Sequence, residues 1–226
     1  MAGETLTLDL PNGETVSALW QAPAAPKAVL SLAHGAGAGM THRHMAATAD
    51  GLEARGVATL RFQFPYMEKG GKRPDPPRIA HAAVRAAAAE AARRSGGAPL
   101  FAGGRSFGGR MTSQAQALAP LEGVRGLVFF AFPLHPAGKP GVERADHLAD
   151  VAIPMLFLQG TADTLAQLEL LAPVVSSLGE RATLILAESA DHSFHVPART
   201  GRKDAEVLND ILDGAADWMT GFQAAS

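Results

Sequence analysis

The chain has 226 residues, 47% of them hydrophobic and 19% charged, with a net charge of -2 and no cysteine. That balance excludes a disordered chain, a disulfide scaffold, a thiolate metal site and a thiol nucleophile, and it argues against nucleic acid as a partner. No charge-free apolar run approaches the roughly 18 residues of a membrane span, and the start MAGETLTLDL lacks the basic end and apolar core of a signal peptide, so a cytoplasmic protein without membrane contact is expected.

In chain order, Thr5 to Leu10 alternates at period two, Pro11-Asn12-Gly13 marks a turn, and Val16 to Trp20 returns as the second arm of a hairpin. Ala28 to Ala33 is apolar almost throughout and fits a strand buried on both faces. Thr41 is the expected N-cap of a helix carrying Met45, Ala49 and Leu52, stopped by Gly56, and Val57 to Phe62 is the next strand. A Pro/Gly-rich loop runs from Gln63 to about Pro77. Ile79 to Arg94 contains nine alanines and predicts a helix, with Gly96-Gly97 as its stop. Pro99 to Gly103 predicts a short strand, and Phe107 to Ala119 a helix. Leu127 to Ala131 and Ile153 to Leu158 read as buried strands on either side of a proline-rich loop. Leu165 to Leu178 is expected to be helical, broken or kinked at Pro173. Ala182 to Ala187 is the last strand, and Asp204 to Phe222 closes the chain as an amphipathic helix. Alternating strands and helices without repeat or linker predict one α/β domain over residues 1–226.

The informative segment is Gly103-Gly104-Arg105-Ser106-Phe107-Gly108-Gly109, which places Gly-x-Ser-x-Gly between a predicted strand and a predicted helix. A serine on such a sharp turn needs neighbours without side chains, and the helix start beyond it favours developing negative charge. A serine nucleophile also needs a base and an acid that orients the base, and the acid and then the base follow the serine on loops after later strands. Asp163 follows the strand ending at Leu158, and His192 follows the strand ending near Ala187. His195 is a rival base. Asp146, Asp150 and Asp191 are rival carboxylates, although Asp191 suits a loop cap better. The oxyanion needs two amides, and Phe107 and Ala36, the latter within His34-Gly35-Ala36-Gly37-Ala38-Gly39, are the candidates. Gly35-x-Gly37 lacks the third glycine and the acidic strand end of a dinucleotide site. The pairs His42/His44 and His192/His195 lack a matching carboxylate cluster, so no metal or other cofactor is expected, and His81 is read with them as a packing or solvent-facing side chain.

With these residues in place the chain resembles an α/β-hydrolase over almost its whole length. Phe62 to Tyr66, Gly103 to Arg110, Phe132 to Pro136 and Gly160 to Asp163 resemble a small lidless branch related to dienelactone hydrolases, whose eukaryotic relatives include a testis-expressed protein and a subunit of a histone-acetyltransferase complex. The resemblance implies the α/β-hydrolase fold: a mostly parallel central sheet with helices on both faces, an N-terminal antiparallel hairpin and no substantial cap domain. It also implies a serine hydrolase with the triad Ser106, Asp163 and His192. Dienelactone hydrolase itself uses cysteine, so its lactone substrate does not transfer. A scaffold that keeps the fold without the activity is the alternative.

The stretch from Phe132 to Ala152 is too short for a helical cap, which predicts an open site. Phe64, Tyr66, Leu134 and Phe194 are the candidate walls of a pocket for a small carboxylic ester, with thioester or amide cleavage open to the same residues. Lys69, Lys72, Arg73 and Arg78 read as a solvated loop, with attraction of an anionic substrate as the other reading. Arg105 and Arg110 are expected to form structural ion pairs.

Overall fold

A computed structural model describes residues 3–222, so both ends of the domain expected over 1–226 lie outside the described residues. Strands β1 (Glu4–Asp9) and β2 (Thr15–Gln21) form the hairpin, turned by Gly13 at φ +81°. Six further strands follow: β3 (Ala28–Ala33), β4 (Val57–Phe62), β5 (Leu100–Arg105), β6 (Val124–Phe130), β7 (Met155–Gly160) and β8 (Ala182–Ala187). They make one sheet in the order β1-β2-β4-β3-β5-β6-β7-β8. β2 pairs with β1 and β4 antiparallel, and all later pairings are parallel.

Alternation along the central strands divides the core into two layers. On one face Val29, Ala33, Ala102, Phe129 and Phe157 meet α3 (Pro77–Arg94), α4 (Phe107–Leu118) and α5 (Leu168–Ser177). On the other, Leu30, Leu32, Val128, Phe130 and Leu156 meet α1 (Arg43–Glu53) and α6 (Asp204–Thr220). The α3 contact is made by Ala80, Ala83, Val84, Ala87 and Ala91, whose small side chains lose little entropy on burial and give the alanine-rich segment its reason.

Several boundaries differ from expectation. α1 is capped by His42, not Thr41, and stops at Glu53 rather than running on to Gly56. α3 starts two residues early, because Pro77 occupies a first-turn position where a missing N–H costs nothing. β5 extends to Arg105, while β6 ends at Phe130 because Ala131 turns to φ +58°. β7 starts only after Pro154. α5 runs through Pro173, which it carries on its exposed face, and α6 ends before Phe222. Four elements went unpredicted: α2 (Pro65–Glu68), entered through proline, two short 3-10 turns at Gly179–Arg181 and Ala198–Thr200, and a longer 3-10 helix over Glu143–Asp150. The latter is the only helix between β6 and β7 among the described residues, so no large cap is present.

Candidate active site

Ser106 stands between the end of β5 and the start of α4 at φ 49°, ψ -117°, a conformation that costs a non-glycine residue roughly 1–3 kcal/mol. Two backbone bonds hold it there: its N–H donates to the Phe130 carbonyl at 3.0 Å, and its carbonyl accepts from Arg110 N–H at 3.1 Å. The flanking glycines have a steric cause. A Cβ on Gly104 would lie 2.4 Å from the Ala33 carbonyl oxygen, and one on Gly108 would lie 2.5 Å from that of His34. The turn is thus wedged against the end of β3, and only hydrogen fits.

Asp163 lies in the turn after β7, buried to 2% exposure. Its Oδ2 accepts from His192 Nδ1 at 2.7 Å and from Gln159 Nε2 at 2.5 Å, and its Oδ1 accepts from the Leu165 N–H at 2.8 Å. A carboxylate can only accept, so His192 carries its proton on Nδ1. The free Nε2 then faces Ser106 Oγ at 2.8 Å. One hydrogen-bonded chain therefore joins Asp163, His192 and Ser106. The rivals lie elsewhere. His195 is exposed and pairs with Asp204 at 2.9 Å, which raises its pKa, Asp191 accepts from the amides of Ser193 and His195, and Asp146 and Asp150 are exposed on the 3-10 helix.

Several side chains hold the loop after β3, among them Gln63, whose Oε1 accepts the Met40 N–H at 2.9 Å, and His34 and Tyr66. His34 is fully buried; Nδ1 donates to the Gly35 carbonyl at 2.8 Å and Nε2 accepts from Phe64 N–H at 3.0 Å. Burial lowers its pKa to about 4, so the ring stays neutral and pins this loop to the end of β4. Tyr66 Oη accepts the Gly37 N–H at 3.3 Å. Among the described residues, the amides of Ala36 and Phe107 donate to no protein acceptor, and both residues border a cavity of about 360 Å³ shared with Ser106.

That cavity is lined by Pro74, Met111, Pro133 and Leu165 together with Asp75, Arg110 and Arg144. The expected walls lie elsewhere. Phe64 and Leu134 are fully buried in the core, Tyr66 sits beneath the loop after β3, and Phe194 faces a different cavity shared with His44 and Arg105. These four side chains are absorbed by packing, and Pro74, Met111, Pro133 and Leu165 supply the apolar walls of the opening instead. The expected ion pairs at Arg105 and Arg110 are also absent among the described residues. Arg105 instead donates to the His192 carbonyl at 2.7 Å and stacks over Phe194 at 5.7 Å. Of the loop cations, Lys69 pairs with Glu14, and Arg78 lines a different groove, with Asp9, Leu10 and His81. Gln159 and Arg144 were not anticipated. The first had a sequence signal, a polar residue ending the apolar run Met155 to Leu158; the second had none.

No group of three or more His, Cys, Asp or Glu side chains is gathered to hold a metal among the described residues, and no helix there is long and apolar enough to cross a membrane. Residues 26–220 match the model of the α/β hydrolase domain family. The chain belongs to that family. As an α/β hydrolase it is similar in structure to a lidless serine hydrolase from Xanthomonas campestris (23% identity, 97% of this chain and 96% of that one, TM-score 0.73). It is similar as well to a dienelactone hydrolase from Anabaena variabilis (19%, 98% and 98%, TM-score 0.77) and to a serine hydrolase homologue from Coxiella burnetii (20%, 95% and 98%, TM-score 0.74). The fold is thus of the lidless, dienelactone-hydrolase-like kind.

Proposed function

We propose that this α/β hydrolase is a serine hydrolase that cleaves a small carboxylic ester through an acyl-enzyme. The observation that carries the reading is the hydrogen-bonded chain Asp163–His192–Ser106, at 2.7 Å and 2.8 Å, ending on a serine held in a strained turn beside an open cavity. His192 Nε2 takes the proton of Ser106 Oγ as that oxygen attacks the ester carbonyl. Asp163 holds the imidazole tautomer and stabilises the imidazolium. The amides of Ala36 and Phe107 receive the oxyanion, whose charge develops at the start of α4. His192 then protonates the leaving alcohol, and water, deprotonated by His192, releases the acid from Ser106.

The test is labelling by a fluorophosphonate, with turnover of short p-nitrophenyl esters measured in parallel. Wild type is expected to label and turn over, Ser106→Ala to do neither, and Asp163→Asn and His192→Ala to slow both by orders of magnitude. Labelling that persists in Ser106→Ala overturns the nucleophile. A wild type that neither labels nor turns over any ester, thioester or amide favours the scaffold reading.

A further inference from the structure

The cavity beside Ser106 holds two guanidinium groups that nothing in the proposed chemistry uses. Arg110 lies one turn into α4, its guanidinium over the Phe107 ring at 5.9 Å, and its Nε is buried without a hydrogen-bond partner. Arg144 reaches the same cavity from the 3-10 helix. Neither forms an ion pair among the described residues, whereas Arg55, Arg94 and Arg202 each sit within 2.8 Å of a carboxylate. The carboxylate in this cavity, Asp75, accepts the Tyr66 N–H on Oδ2 at 2.9 Å and forms no ion pair with either arginine.

Their juxtaposition is built in. Ser113, three residues beyond Arg110, meets His147, three residues beyond Arg144, at 2.7 Å. This bond docks the 3-10 helix on α4 one turn away from the two arginines. Two like charges are therefore held near each other in a partly desolvated site, which raises the energy of the empty protein. Burial and the neighbouring Arg144 lower the Arg110 pKa, and burial lowers that of Arg144. A bound anion relieves the repulsion and satisfies the unmet donors, and guanidinium groups match a carboxylate fork.

We propose that Arg110 and Arg144 form an anion subsite, so that the substrate is an ester carrying a second, ionised carboxylate. The inference rests on the hydrolase reading for the fate of the ligand, while the ligand's charge is read from the cavity. A singly charged carboxylate fits better than a phosphate dianion, because Asp75 lines the same space.

The test separates the two readings by using Ser106→Ala, which keeps the cavity without the nucleophile. Glutarate, its neutral diamide and inorganic phosphate are titrated into this protein by calorimetry. Glutarate is expected to bind roughly tenfold tighter than the diamide, and to lose roughly tenfold when Arg110→Gln or Arg144→Gln is added. Arg73→Gln, on an exposed loop, leaves that preference in place, and thermal melts of the unliganded variants report their folding. Equal binding of glutarate and diamide, no glutarate binding, or full retention in both folded arginine variants overturns the subsite. Phosphate binding tighter than glutarate overturns the carboxylate assignment. Turnover of neutral esters without glutarate binding removes the subsite alone. Glutarate binding that depends on both arginines, with no labelling of wild type, removes the hydrolase reading alone.

Discussion

The Arg105 guanidinium donates to the backbone carbonyl of His192 at 2.7 Å, tying the residue before Ser106 to the loop that carries the histidine. Arg105 is largely buried and lies near Asp163 and Asp191, which partly offset the cost of its desolvation. On the proposed serine-hydrolase reading the arginine is a positioning residue. Arg105→Gln is expected to lower kcat by roughly 10–100-fold with a smaller change in KM, because the imidazole loses its fixed distance to Ser106 Oγ. The acid limb of the pH–rate profile should move with it. Arg105→Lys recovers only part, since an ammonium does not stack on Phe194 as a planar guanidinium does. A profile and rate unchanged in Arg105→Gln would remove this role.

Gln159 supports the other end of the same chain, with Nε2 on Asp163 Oδ2. Gln159→Leu removes a donor to a buried carboxylate and should cost about 1–3 kcal/mol of stability, together with roughly tenfold in kcat. Gln159→Glu sets a second carboxylate against Asp163, so its deficit should be larger near neutral pH and shrink as the pH falls. Urea unfolding and ester kinetics across pH measure both.

The glycines that flank Ser106 and the one that follows β3 and His34 should respond differently to one added methyl. Gly104→Ala and Gly108→Ala drive a Cβ into backbone carbonyls of the β3 end and are expected to cost about 3 kcal/mol or more. At Gly35 the nearest atom to a new Cβ is the Arg105 carbonyl oxygen at 3.6 Å, an ordinary contact, so Gly35→Ala should stay within about 1 kcal/mol of wild type. Thermal or urea unfolding of the three variants makes the comparison.

Acid should weaken the fold before its carboxylates protonate. His34 and His147 both have pKa values lowered to about 4, chiefly by burial. Between the ordinary value near 6.5 and about 4, the unfolded chain binds protons that the native state does not. Their stabilising contribution is therefore full above about pH 6.5, falls as the pH drops, and is gone below about pH 4. His147→Gln should flatten the fall in urea midpoint over this window, and an unchanged slope would place the acid sensitivity elsewhere.

What the amino-acid order determined is local or periodic. The strands were readable because burial on two faces demands runs such as Ala28 to Ala33 and Met155 to Leu158, and α3 because alanine favours helix. The turn at Ser106 was readable because a serine between glycines stands between a predicted strand and a predicted helix, and Asp163 and His192 were candidates because each follows a strand end. Tertiary structure decided which side chains share a space. Phe64, Tyr66 and Leu134 read as pocket walls, yet bulky apolar groups gain most by full burial and went into the core or beneath a loop. Arg105 and Arg110 read as ion-pair partners, but neither forms an ion pair among the described residues: Arg105 lies near Asp163 and Asp191 yet donates to a carbonyl and stacks on a ring, and Arg110 faces a ring and a second arginine. Arg144 lies beyond β6 in a stretch without periodicity, and only the packing of the 3-10 helix on α4 brings it beside Ser106, because the distance between two loops is set by the sheet and helices between them.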